Sequence, residues 1–149
     1  MELLNLIKET ALPLVMSIFL AYIAYNQLTT NRNKLKLDLY NKRFEIYTSA
    51  LKFYQELMVE GTSSETHKDF INKKEAAKFL FSKDTSIYTL LDEMHDKSFK
   101  INHFKSKSLE LANNSKAFDL ASKNSHDAVM WFEPAIKNLR AKLEPFLSF

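Results

Sequence analysis

The segment TALPLVMSIFLAYIAYNQLTTN, residues 10–31, contains no charged side chain, and residues 11–25 are apolar except for Pro13 and Ser17. A helix needs about 20 residues to cross the roughly 30 Å of hydrocarbon in a bilayer. The apolar run reaches that length when the interfacial residues up to Leu28 are included. We therefore predict a transmembrane helix within residues 1–31 and a cytosolic domain over residues 32–149.

Two other interpretations of this segment are a signal peptide and a buried core helix. The leader MELLNLIKE has no basic cluster and no small-x-small cleavage site follows the apolar run, which disfavours a signal peptide. A core helix is the remaining alternative. Basic residues follow the segment and stay in the cytoplasm by the positive-inside rule, so the amino terminus is expected outside: Arg32, Lys34, Lys36, Lys42 and Arg43.

Small and polar side chains follow one stripe of the predicted membrane helix, and they are the candidate pore-lining residues: Thr10, Ser17, Ala21, Ala24 and Gln27. Small residues allow the backbones of membrane helices to approach closely. The stripe is therefore explained either by an anchor that packs on a partner helix or by a pore. Because one helix cannot conduct, the pore requires a homo-oligomer.

The composition predicts an all-α protein without thiol chemistry. One Gly and three Pro occur in 149 residues, fewer than strands and tight hairpins usually need. The absence of Cys excludes disulfides, thiolate catalysis and zinc–thiolate sites. The formal net charge of +3 is too small to require nucleic acid but suits an anionic lipid surface or ligand.

The helix after the membrane segment carries two apolar stripes. A heptad repeat gives the candidate oligomer interface, Leu37, Tyr40, Phe44, Tyr47 and Leu51, and continues through Tyr54 and Met58. Beside it lies a second stripe, Leu35, Leu39, Ile46, Ala50, Phe53 and Leu57. Either one stripe packs on sister subunits while the other packs on its own domain, or both fill one intramolecular core.

Turn and capping residues predict the remaining helices. The long helix is expected to stop near Gly61, and a second helix to run over residues 68–81. Asp84 or Thr85 is expected to cap a third helix, which residues 113–115 interrupt. In the last helix we expect Pro134 to form a kink or the start and Pro145 to form the end.

No residue pattern in the chain points to catalysis, so we predict that it is not an enzyme and uses no cofactor. A single Gly leaves no glycine-rich phosphate loop and no nucleophile elbow. The dipeptides His95-Asp96 and His126-Asp127 cannot each hold one metal, because adjacent helical residues point about 100° apart. His95 and His103 share a helical face at two-turn spacing, which a surface pair explains, and no metal site is predicted.

A basic face is the candidate ligand site. Lys97, Lys100, Phe104 and Lys107 fall on one helical face near His103, and a second basic group consists of Lys73, Lys74 and Lys78. Basic and aromatic side chains together can hold a phosphodiester and stack a base. The alternative is a solvated surface of a lysine-rich protein, and lysines lack the bidentate fork of arginine.

Three stretches carry a resemblance to known proteins: NKLKLDLYNKRFEIYTSALKFY, EAAKFLFSKDTSIYTLLDEMHDKSFK and MWFEPAIKNLRAKLEPFLSF. Together they resemble a family of small bacterial proteins with one amino-terminal membrane helix and a helical cytosolic domain. The chain is also similar in plan to the HalB membrane effectors of the Hailong antiphage system. The resemblance implies an inner-membrane homotetramer, a nucleotide or oligonucleotide regulator and a partner nucleotidyltransferase, but no functional motif matches residue by residue.

These observations lead to one main hypothesis and two alternatives. The main hypothesis is an oligomeric, ligand-gated ion channel of antiphage defence, with the pore formed by the amino-terminal helix and regulation by the helical domain. The first alternative is a membrane-tethered helical scaffold that recruits a protein partner without conducting. The second is a soluble bundle whose first helix is buried in an oligomer core.

Overall fold

The fold is described from a computed structural model, in which residue 9 and residues 11–148 are described. Almost all of these residues belong to four helices: α1 Leu12–Val59, α2 Ser64–Leu80, α3 Thr85–Leu111 and α4 Ser115–Leu147. The described range contains no strand, and the all-α prediction is confirmed. Two compact units meet at the junction between Leu39 and Tyr40, and α1 contributes to both.

The first unit contains the amino-terminal part of α1. Apart from the half-buried Ile23, its large apolar side chains from Leu12 to Leu28 are exposed, most of them by half or more of their surface. This helix is long and apolar enough to cross a membrane, and no residue of its most apolar window is buried. The predicted membrane boundary at residue 31 stays a prediction.

The second unit is a helical bundle with one hydrophobic core. Phe53 of α1 stacks on Phe70 of α2 with ring centroids 4.1 Å apart, and Tyr54 of α1 stacks on Phe132 of α4 at 5.9 Å. Because buried residues recur every three or four positions, each helix turns one face inward. The fully buried large side chains of α3 and α4 are Ile87, Leu91, Met94, Ile101, Phe132, Leu139 and Leu143.

The predicted stop near Gly61 is confirmed. The helix α1 ends at Val59, and the Gly61 backbone N–H donates to the Glu56 carbonyl at 3.0 Å. Gly61 has φ of +99°, a left-handed conformation that glycine adopts without the steric cost of a Cβ atom.

The helix α2 begins at Ser64, four residues earlier than the predicted residue 68. The Ser63 side chain accepts a hydrogen bond from the Thr66 backbone N–H at 3.2 Å, and the Glu56 carboxylate accepts one from the Ser63 N–H at 3.1 Å. Residues 63–67, which the sequence leaves outside the predicted helix, are therefore its cap and first turn, because serine at the N-cap supplies a missing acceptor.

The cap of α3 agrees with the prediction, and the cap of α4 lies within the predicted interruption. The Asp84 side chain accepts from the Ser86 backbone N–H at 3.0 Å, so Asp84 is the N-cap of α3. A turn over residues 112–114 separates α3 from α4, and the Asn114 side chain accepts from the Ala117 N–H at 3.2 Å. The predicted interruption at residues 113–115 is confirmed.

The proline predictions for the last helix are wrong in part. The helix α4 runs from Ser115 to Leu147, so Pro134 does not start it and Pro145 does not end it. Both prolines are exposed. A proline deprives the carbonyl four residues earlier of its partner, and on an exposed helix face water can supply that hydrogen bond.

Candidate functional site

The predicted pore-lining stripe lies on an exposed part of α1. Ser17, Ala21, Ala24 and Gln27 are exposed, whereas Thr10 lies outside the described residues. The Ser17 hydroxyl donates to the Pro13 carbonyl at 2.8 Å, and the Thr29 hydroxyl donates to the Tyr25 carbonyl at 3.0 Å. These two hydroxyls need no partner from outside the helix, which makes them compatible with hydrocarbon.

In both stripes of α1, burial depends on the position along the helix and not on the side of the helix that the stripe occupies. In the second stripe Leu35 is 69% exposed, whereas Phe53 is fully buried. In the candidate oligomer stripe Leu37 and Phe44 are exposed, and Tyr47 and Leu51 pack partly buried against the core of their own chain. From residue 46 onward both stripes contribute to one core, and the exposed members precede it.

Tyr40 and Phe44 form a stacked aromatic pair at the start of the second unit. Their ring centroids are 6.1 Å apart with nearly parallel planes, and Phe44 lies 6.2 Å from Tyr47. Phe44 and Tyr47 also line a small groove of about 270 Å³ with residues of α4, including Leu143 and Leu147. Tyr40, Phe44 and Tyr47 therefore form a row of contacting rings, in which Phe44 is exposed and Tyr47 packs against the core.

The first basic group consists of lysines that each pair with a carboxylate. Lys73 of α2 pairs with Glu45 of α1, and Lys78 pairs with Glu75 at 2.7 Å. Lys78 also lies over the Tyr88 ring at 4.3 Å. A phosphate ligand at these lysines would have to compete with ion pairs that already exist.

Lys74 is the most buried member of that group. It is 7% exposed, and its Nζ atom lies 2.6 Å from the Asp92 carboxylate of α3. Burial opposes its charge, but the hydrogen bond and the charge of Asp92 outweigh burial and raise the pKa of Lys74. The same bond lowers the pKa of Asp92. Lys74 therefore acts as a charged link between α2 and α3.

The second basic group is more open to a ligand. Lys97 lies over the Trp131 ring at 4.9 Å, and Lys107 pairs with Glu110 at 2.8 Å. Phe104 contacts Phe118 of α4 with centroids 5.5 Å apart. Lys100 has no carboxylate partner among the described residues, so it is the member of the group that an anion could approach.

Lys100 and His103 line a groove between α3 and α4 of about 500 Å³, with apolar walls that include Phe99, Leu111 and Leu120. The buried residues of α3 end at Ile101 and those of α4 begin at Ser125. The groove therefore lies on the part of the α3–α4 hairpin beyond the core. Two of the eight predicted ligand residues meet there.

A wider cleft of about 1100 Å³ lies beside the end of α1, and several of its polar groups already have hydrogen-bond partners. Lys105 donates to the carbonyls of Leu57, Met58 and Val59 at 2.8, 3.3 and 3.1 Å. Hydrogen bonds from the Thr66 hydroxyl and the Ser63 N–H lower the pKa of Glu56. This network closes the end of α1 and leaves little for a ligand to satisfy.

Two clusters were not found from the sequence. The first joins His67 of α2 and His95 of α3, whose Nε2 atoms are 3.0 Å apart. In the sequence, His95 lies beside Asp96 and two helical turns from His103, and no local pattern connects residues 67 and 95. Among the described residues no three His, Cys, Asp or Glu side chains converge as metal ligands.

The second cluster surrounds Arg43. Its guanidinium donates to the Phe146 carbonyl at 3.1 Å and to the Leu80 carbonyl at 3.5 Å, and it lies over the rings of Phe81 and Phe146, 5.7 and 5.4 Å from their centroids. Arg43 therefore joins α1 to the carboxyl ends of α2 and α4, where helix dipoles favour a cation. The sequence analysis used it only as a flanking positive charge.

Comparisons with family models, with curated proteins and with solved structures returned no match.

Proposed function

We propose that the protein is a homo-oligomeric, single-span membrane effector in which copies of the α1 segment within residues 10–28 surround an ion pathway. The observation that carries this proposal is the burial pattern of α1. Its large apolar residues from Leu12 to Phe44 are exposed, except for the half-buried Ile23 and Tyr40, and its core residues begin at Ile46. About fifteen residues of such a helix would be costly to leave in water, and a bilayer removes that cost.

The stripe of Ser17, Ala21 and Ala24 supports assembly of several such helices. Small side chains permit close helix packing in lipid, and the Ser17 hydroxyl is satisfied by its own backbone. After the proposed span, the exposed Leu37 and Phe44 offer apolar contacts to a sister subunit. A tetramer is the assembly that the resemblance implies, with the amino terminus outside and the helical domain in the cytoplasm of the bacterial inner membrane.

Regulation by the helical domain completes the proposal. The groove with Lys100 and His103 is the part of the basic face best suited to an anionic nucleotide or oligonucleotide, because Lys100 has no carboxylate partner among the described residues. A neighbouring nucleotidyltransferase would be the source of such a regulator. A gate of this kind requires the regulator to bind the closed and open forms with different affinity.

Cysteine substitution tests the pore directly, because the natural chain contains no Cys. Full-length protein with Ser17→Cys or Ala21→Cys is reconstituted into liposomes, and ion flux is measured before and after a charged thiol reagent. We expect the reagent to block flux in these two variants. Phe19→Cys, on the opposite side of the helix, is the matched control and keeps its flux.

Flux that the reagent leaves unchanged in Ser17→Cys and Ala21→Cys, or blocks equally in Phe19→Cys, in a protein that resists carbonate extraction from the membrane, would contradict this pore lining. Disulfide cross-linking of Leu37→Cys, compared with Leu39→Cys on the other side of α1, tests self-association separately. A disulfide-linked dimer for Leu37→Cys but not for Leu39→Cys supports self-association through this side of α1. Monomer alone at both positions contradicts it.

A further inference from the structure

The histidine pair between α2 and α3 has the geometry of a single shared hydrogen bond. The Nε2 atoms of His67 and His95 are 3.0 Å apart, whereas the ring centroids are 5.2 Å apart and the planes are nearly perpendicular. The two nitrogens therefore lie between the rings and face each other. One Nε2 atom carries the bridging hydrogen and the other accepts it, so the neutral rings have opposite tautomers.

Aromatic side chains surround the pair. Phe53 of α1 meets the His67 ring edge-on at 5.8 Å, and Phe99 lies 4.8 Å from His95 and 6.1 Å from His67. Phe70 lies 6.4 Å from His95. Both histidines are half-buried. Such surroundings solvate an imidazolium poorly, and burial is the largest cause that lowers the pKa of His95.

Some charged groups near His95 favour its protonation and others disfavour it. Lys74 of α2 and a charged His67 disfavour its protonation, whereas Asp96 and Asp92 of α3 favour it. Asp92 is already paired with Lys74 at 2.6 Å, and Phe53 contributes no charge from α1. Burial and the two cations together lower the pKa of His95 by more than the two carboxylates raise it, so the neutral form of His95 is favoured.

We propose that the His67–His95 pair is a proton-responsive joint, which holds α2 against α3 with one shared hydrogen and separates them when both imidazoles are protonated. With both imidazoles charged, neither Nε2 atom has a lone pair to accept with. The hydrogen bond is then replaced by repulsion between two cations in an aromatic site. This proposal does not depend on whether the membrane helix conducts.

The sign of the effect follows from proton uptake. The joined form binds fewer protons than the separated form, so the joint is most stable above the ordinary histidine pKa of about 6.5. Stability is lost as the pH falls from there through the lowered pKa of His95. Within that window, each additional proton that the separated form binds increases the equilibrium constant for separation about tenfold for each pH unit of acidification.

Hydrogen exchange of the full-length protein in detergent tests the joint. We expect exchange of α2 amides around residues 66–70, corrected for intrinsic rates, to increase by up to about tenfold per pH unit between about pH 6.5 and pH 5. His95→Gln keeps a side chain that can donate or accept, and it removes this pH dependence. His103→Gln and His126→Gln, at exposed positions, retain it.

Nitrogen NMR of the wild-type rings gives an independent test if His95→Gln does not fold. At neutral pH we expect one protonated and one unprotonated Nε2 atom, and a coupling across the hydrogen bond. Identical tautomers in both rings, or titration of each ring independently of the other, would overturn the proposal. So would α2 exchange with the same pH dependence in the wild type and in His95→Gln.

Discussion

The first part of α1 exposes its apolar side chains, whereas the last part of the same helix buries them. Leu35 is 69% exposed and Phe44 is 42% exposed, while Phe53 and Leu57 are fully buried. Both parts carry similar apolar stripes at three- and four-residue spacing. The comparison shows that periodicity defines an apolar face, and that the elements packed against that face decide whether it is buried.

The two parts also differ in how polar groups are satisfied. In the first part, the hydroxyls of Ser17 and Thr29 bond to carbonyls of their own helix. In the second part, Ser49 donates to Asp69 of α2 at 2.6 Å, and Lys105 of α3 caps the last carbonyls of α1. The first part thus satisfies these hydroxyls within itself, whereas the second is cross-linked to its neighbours.

The largest expected effect comes from removing a core ring of α1. Phe53→Ala deletes a fully buried side chain that stacks on Phe70, and we expect it to lower the free energy of unfolding by about 3–5 kcal/mol. Phe44→Ala, at an exposed position, is the matched control and costs less than about 1 kcal/mol in detergent-solubilised monomer. Denaturant titration measures both, and equal losses would break the comparison.

A charged substitution in the first part of α1 tests whether lipid or water surrounds this part of the helix. Phe19→Asp is expected to disfavour membrane insertion by about 3 kcal/mol, because a carboxylate near the middle of a spanning helix is poorly solvated. Leu35→Asp, beyond the proposed span, is expected to leave insertion unchanged. The fraction of protein that resists carbonate extraction is the measurement. Equal extraction of both variants and the wild type would argue against a span.

A smaller effect on the free energy of unfolding is expected from a substitution at the carboxyl end of α1. Lys105→Met removes the cation that bonds to three terminal carbonyls of α1, and we expect a loss of about 1 kcal/mol in unfolding free energy. Lys107→Met is the control, since Lys107 pairs only one turn away with the exposed Glu110. That pair is worth about 0.5 kcal/mol or less. A larger loss for Lys107→Met would contradict this assignment.

The smallest expected effect is on the free energy of unfolding at acidic pH. Hydrogen bonds from Thr66 and Ser63 lower the pKa of Glu56, so the native state holds its charged form more strongly than the unfolded chain does. The resulting stability is fully present above the ordinary glutamate pKa and is lost as the pH falls through the lowered value.

Glu56→Gln is therefore expected to make the unfolding free energy less steep with pH below about 4.5. Glu60→Gln, one turn further along the chain, serves as the control and is expected to keep the wild-type slope. Denaturant titrations at a series of pH values give the measurement. An unchanged slope in Glu56→Gln would show that this carboxylate does not stabilise the start of α2.

Much of the fold was predictable because it depends on local physics. The scarcity of Gly and Pro indicated helices, Gly61 marked the end of α1, and Asp84 marked the start of α3. The start of α2 was placed too late because its cap is completed by Glu56 of another helix. Pro145 was misjudged because an exposed helix end tolerates a missing hydrogen bond.

The candidate sites were less predictable because they depend on neighbours distant in sequence. Lysines that form one basic group in the sequence divide in the fold: Lys74 is buried against Asp92, whereas Lys100 borders an open groove. The pairing of His67 with His95 has no sequence signature at all. A count of charges cannot distinguish a lysine that stabilises the bundle from one available to a ligand.

Consecutive residues alone specify an apolar helix of membrane-spanning composition followed by an all-helical domain, because solvent preference and backbone propensity are local properties. The packing of helices against one another sets where α1 passes from exposed to buried, which lysines pair with carboxylates and which histidines share a hydrogen. Those outcomes depend on distances between separate helices, and such distances are set by packing of the whole chain.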